Sequence, residues 1–107
     1  MSNNRLEGLL SILEQEPNDS FTHYAVALEY ASMNEVEKAI SKLRELILLD
    51  PKYVPAYQQL GAILSQSDRQ TEALDTYEQG IKIATATGEP HAAKEMQEAI
   101  DEIRDQE

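Results

Sequence analysis

The sequence repeats itself at a step of 34 residues. Pro17 and Pro51 stand one step apart, as do Ala39 and Ala73, Ile47 and Ile81, and the small pair Ala27 and Gly61. A period of this length belongs to chains built as a stack of similar supersecondary units, in which each unit buries a face on the next. Such a chain has no single central core, and its function is biased toward binding along a surface.

Hydrophobic spacing shows what each unit is made of. From residue 4 to 16, Leu6, Leu9, Leu10 and Leu13 recur at helical intervals, and Pro17 ends the run because the residue before a proline is pushed out of the α region. Asn18, Asp19 and Ser20 offer side-chain acceptors to the next helix, whose stripe runs through Val26, Tyr30 and Met33. The Asn18-Asp19-Ser20 sequon is read as that helix start. Asn34, with Glu37 three residues later, resembles a capping box opening a helix through Ala39, Ile40, Leu43, Leu46 and Ile47, closed by Asp50-Pro51. The pattern returns with helices expected near 54–66 and 70–84, and Asp68 one step after Asn34 is expected to cap in the same way. After Thr87-Gly88-Glu89-Pro90, a last helix carries Ala93, Met96, Ile100 and Ile103 on one side and charge on the other. Strand alternation is absent, so the fold class is all-α, with about six helices.

Composition narrows the function. The net charge of −11 opposes a nucleic-acid partner, which needs clustered Lys and Arg to displace counterions from phosphates. The acids thicken toward the end of the chain and are read as a solvated face whose self-repulsion favours a soluble monomer; a salt-rich cytoplasm or a basic partner are the other readings. With no cysteine, disulfides and thiolate chemistry drop out, and a cytoplasmic setting fits. No signal-peptide core and no stretch of roughly 20 apolar residues is present, so no membrane role is expected. Neither a glycine-rich phosphate loop nor a nucleophile elbow occurs.

These residues resemble the tetratricopeptide repeat family. Its Trp, Leu, Gly, Tyr, Ala, Phe and Pro pattern reads His23, Val26, Ala27, Tyr30, Ala39, Leu43 and Pro51 in residues 20–53. In residues 54–87 it reads Tyr57, Leu60, Gly61, Leu64, Ala73 and Tyr77, with Thr85 in place of the proline. Residues 4–17 fit the second half of a preceding repeat, with Leu6, Leu9, Ile12 and Leu13 one step before Ile40, Leu43, Leu46 and Ile47, and with Arg5 in the slot of the packed alanine. Residues 90–105 resemble the family's capping helix, about two places out of register. The resemblance implies a right-handed α-solenoid of antiparallel helical hairpins, organised as one domain over residues 1–107, with an open N-terminal end where Arg5 replaces the packed alanine and a capping helix at the other end.

It also implies a use. In this family the first helix of each hairpin lines a concave groove that holds an extended peptide or a partner helix. The corresponding residues are Phe21, Tyr24, Leu28 and Ala31, then Gln58, Ala62, Ser65 and Gln66, with Lys94 and Glu98 as additions from the last helix. Phe21 and Tyr24 have the alternative of packing against the N-terminal helix. Tyr24, Leu28 and Gln59 stand where the family's chaperone-binding members carry the polar and basic clamp for an acidic peptide end. An acidic terminus is therefore not the expected ligand, and a segment with basic flanking residues is. His23 falls on the aromatic packing slot and His91 on the start of the last helix, so no catalytic residue, metal ligand or cofactor site is assigned. The expectation is a non-catalytic adaptor; the alternatives are a homodimer, paired through the groove or an exposed Leu10, or a subunit docked on a larger assembly.

Overall fold

A computed structural model of the chain describes residues 4–107, and among the described residues there are six α-helices and no strand. They are α1 (Asn4–Gln15), α2 (Ser20–Ser32), α3 (Val36–Leu49), α4 (Val54–Gln66), α5 (Gln70–Ala86) and α6 (Pro90–Asp105). The chain divides into two units, Met1–Asp50 and Pro51–Glu107. The fold is the all-α helical repeat that the 34-residue step requires.

In the first unit, α2 packs on both α1 and α3. Asp19 is the N-cap of α2: its carboxylate accepts from the Thr22 backbone amide at 3.2 Å and from the Thr22 hydroxyl. The Ser20 hydroxyl donates to Asp50 at 2.6 Å, which ties the start of α2 to the end of α3. Val26, Ala27, Ala39, Ile40, Leu43 and Leu46 form the buried layer. The one-step correspondence expected of α1 holds only in part. Ile12 is 43% exposed whereas Leu46, one step later, is fully buried. Among the described residues the main packing of α1 is on α2, and Leu10 and Ile12 stay exposed. Arg5, in the slot of the packed alanine, reaches instead to the largely buried Glu29 carboxylate at 3.4 Å.

The turns correct one expectation. Asn34 and Asp68 do not open the helices that follow them; the N-caps of α3 and α5 are Glu35 and Arg69. Asn34 and Asp68 instead adopt the left-handed conformation, with φ of 61° and 60°, and so close the preceding helix. The Glu35 amide donates to the Tyr30 carbonyl at 2.9 Å and the Asn34 amide to Ala31 at 3.1 Å, the two bonds of a Schellman motif. Arg69 and Asp68 repeat this on Leu64 and Ser65, and Glu89 and Gly88 repeat it on Ala84 and Thr85. Asn and Asp tolerate left-handed backbone better than most residues, which is why they stand at equivalent positions. The shared signal in the sequence was real, but it marked helix ends.

In the second unit, α5 packs on both α4 and α6, and α6 also reaches α4. Without a proline one step after Pro51, α5 runs to Ala86 and is stopped by Gly88 at φ 74°. Two glycines allow the close approaches. A Cβ on Gly61 would lie 2.5 Å from Cε1 of Tyr77, and one on Gly80 would lie 2.5 Å from the Met96 sulfur and 2.7 Å from Cβ of Tyr57. Met96, Ile100 and Ile103, at helical spacing, are the buried stripe of α6.

Candidate partner-binding site

The large ring slot of each repeat is occupied by a residue that fastens the turn before it. His23 is buried, with Nε2 2.7 Å from the Pro17 carbonyl oxygen; a carbonyl only accepts, so Nε2 carries the hydrogen. One step later, the Tyr57 hydroxyl donates to the Pro51 carbonyl at 2.6 Å. Nδ1 of His23 then faces Lys42 Nζ at 3.4 Å, and Lys42 also pairs with Glu45 at 3.3 Å. These partners give His23 a packing role. His91 pairs along its own helix with Glu95 at 3.7 Å. Among the described residues no group of three or more His, Asp or Glu is placed to hold a metal ion. No helix among them is long and apolar enough to cross a membrane.

Burial of Thr22, His23, Val26 and Ala27 turns the opposite stripe of α2 outward. That stripe carries Phe21, Tyr24, Leu28 and Ala31 at intervals of three and four, so the four lie along one face. Phe21 is 67% exposed, which sets aside its packing beneath the N-terminal helix. Tyr24, Leu28 and Ala31 are half-buried.

In the second unit, all four expected residues of α4 meet α6, three of them in one cleft. Ala62, Ser65 and Gln66 line a cleft of about 190 Å3. Ala99, Glu102, Ile103 and Gln106 of α6 form its other side, and Tyr77 of α5 completes it. The fourth residue, Gln58, donates from its side-chain amide to Glu95 at 3.3 Å. Thus Glu95, Ala99 and Glu102 stand where Lys94 and Glu98 were expected. The difference is one position, about 100° of rotation about the helix axis. It follows from the burial of Met96, Ile100 and Ile103, which decides which neighbouring positions face α4.

Tyr77 enters the cleft because Gly61 has no Cβ, so the ring can lie against α4. Burial raises its hydroxyl pKa above the ordinary value of 10.0, and the negative charge of Glu102 adds to that shift. The 34-residue step places Tyr77 at a packing position; its second role depends on α6, which lies outside the step. The same holds for Glu102 and Gln106, whose only sequence signal is their spacing along the polar side of α6.

Comparison with known proteins agrees with this geometry. Residues 54–87, which span α4 and α5, match the family model of the tetratricopeptide repeat. A tetratricopeptide repeat domain protein from Salinibacter ruber is 36% identical, and its solution NMR structure superposes with a TM-score of 0.81 over 85% of this chain and 92% of that one. A TPR repeat-containing protein from Pseudomonas aeruginosa is 26% identical over 91 residues, covering 85% of this chain and 87% of its own. The TPR2B domain of yeast Sti1, solved in complex with pHsp70, is 18% identical and has a TM-score of 0.87 over 95% of this chain and 82% of that one, a likeness of fold alone. By its repeat pattern, its helical hairpins and its likeness to the Salinibacter ruber protein, the chain belongs to the tetratricopeptide repeat family.

Proposed function

We propose that this chain is a non-catalytic binding module that holds a peptide or a partner helix through the first helices of its hairpins, α2 and α4. The tetratricopeptide fold commonly mediates protein–protein interaction. The observation that carries the reading is the cleft of the second unit, where Ala62, Ser65 and Gln66 are gathered against α6. In the first unit exposed Phe21 and half-buried Tyr24 and Leu28 supply a partly aromatic stripe, the kind of surface from which binding anchors are drawn. None of these groove positions is basic, and the chain carries −11, so a segment with basic residues is the favoured ligand. The likeness to the Sti1 domain concerns the fold, so its pHsp70 names no partner for this chain.

Peptides selected by the whole chain from a random display library provide the test. Their affinity is expected to fall at least about tenfold for a Tyr24→Ala, Leu28→Ala double variant, since two anchors are removed. Undiminished binding by a folded double variant would sink the proposal.

Self-association is a second reading, favoured by the exposure of Leu10 and Ile12 on the outer side of α1. Sedimentation at several concentrations separates the two: a chain that stays monomeric throughout leaves those residues without a dimer to explain them.

A further inference from the structure

The cleft between α4 and α6 is small, acid-bearing and half apolar. At about 190 Å3 it falls below the roughly 300–1,000 Å3 of pockets that enclose a free small molecule, and it suits one side chain. Its one ionised lining residue is Glu102. None of the described Lys, Arg or His residues pairs with that carboxylate, and its neighbour Arg104 is engaged with Glu78 at 3.3 Å. The other polar groups, on Ser65, Gln66, Tyr77 and Gln106, all include an oxygen that can accept. Ala62, Ala99 and Ile103 supply the apolar wall along which a methylene stem can lie.

We propose that this cleft is a subsite for a basic side chain, a lysine or arginine of the bound segment, with Glu102 as counter-charge and Tyr77, Gln66 and Gln106 as neutral acceptors. The proposal rests on the reading of α4 as a partner-binding helix. An anionic group would meet the Glu102 charge, and a neutral one would desolvate that carboxylate without replacing its water. A cation satisfies both conditions. The Glu102 charge also adds to the burial that raises the pKa of the Tyr77 hydroxyl, which lines the same cleft.

The test is an NMR titration of the 15N-labelled whole chain with N-acetyl-arginine amide and, separately, with its uncharged analogue N-acetyl-citrulline amide. Saturable shifts are expected at the amides of Ser65, Gln66, Ala99, Glu102 and Gln106. Binding should be at least about fivefold weaker for the citrulline compound, and for the arginine compound with Glu102→Gln, as for the loss of a charge-assisted hydrogen bond. Glu98→Gln, on the same helix but outside the cleft, should change nothing. Equal response to the two compounds, shifts spread over all acidic positions, or indifference to Glu102→Gln overturns the subsite. Peptides selected from a display library separate the two readings. Selected peptides that lack basic residues and bind Glu102→Gln as well as the native chain defeat the subsite and leave the binding module standing. A cleft that takes arginine amide in a chain that selects no peptide defeats the module, and with it the subsite's role for a bound segment, and leaves only the cleft's preference for a cation.

Discussion

Replacing a glycine by alanine inside a helix normally stabilises it by about 0.8–1.0 kcal/mol, because glycine loses more backbone freedom on folding. Two glycines of this chain should respond with opposite signs. Gly8 lies in α1 and its added Cβ would meet nothing within 4 Å, so Gly8→Ala is expected to gain up to about 1 kcal/mol. Gly80 lies in α5, where the Cβ would fall 2.5 Å from the Met96 sulfur and 2.7 Å from Cβ of Tyr57. The methionine can turn aside, since its side chain is flexible. Cβ of Tyr57 cannot, because it is bonded directly to the backbone of α4 and its ring is buried. Relief therefore requires α4 and α5 to move apart, and a change of that kind costs about 1–3 kcal/mol. Taking the upper part of that range and subtracting the propensity gain leaves Gly80→Ala about 1–2 kcal/mol less stable. Urea unfolding followed by circular dichroism reads both variants, and an unchanged slope with a shifted midpoint isolates the stability term. In thermal unfolding each kcal/mol corresponds to roughly 4–8 °C for a chain of this size. If Gly80→Ala proves as stable as the native chain, or shifts upward together with Gly8→Ala, the close approach of α5 to α4 is not as described.

Other perturbations follow from particular residues. Tyr77 has a raised pKa when folded, so the folded state holds that proton at pH values where the unfolded chain releases it. This contribution is fully present below pH 10.0 and is lost as pH rises through the folded pKa, so the native chain should lose stability in alkali more steeply than Tyr77→Phe. Denaturant midpoints across the alkaline range check this, and parallel pH curves would refute it. Asp68→Gly should raise stability by about 0.5–1 kcal/mol, because glycine takes φ of 60° without steric cost; a loss in thermal unfolding would mean that Asp68 caps α5 after all. Asp19→Ala removes the acceptor for the Thr22 amide and should cost about 1 kcal/mol, whereas an unchanged unfolding midpoint would exclude it as the working cap of α2. Ala73→Leu should overpack a fully buried position of α5 and cost about 1–3 kcal/mol by the same assay.

Much of this molecule is legible in its sequence because the information is local. Apolar spacing names the buried face of each helix, so Val26, Leu43, Leu60 and Ile100 could be assigned to the interior without coordinates. Prolines and small polar residues likewise mark where helices stop. What they do at those stops is less legible. Asn34 and Asp68 have side chains suited both to capping the next helix and to a left-handed turn ending the last, and only the backbone conformation separates the two. The cleft was half visible: Ala62, Ser65 and Gln66 follow from the repeat, whereas Tyr77, Glu102 and Gln106 do not.

The sequence by itself determined the repeat, the helices, the outward stripe of α2 and the absence of basic residues from it, since each depends on residues a few positions apart on one helix. The tertiary structure decided which polar positions face one another. The rotation of α6 about its axis is set by Met96, Ile100 and Ile103 packing into the second unit, and the missing Cβ of Gly61 sets how closely the Tyr77 ring can lie on α4. Both are long-range packing conditions, and together they place one acid, one phenol and two amides around a cleft that no local pattern records.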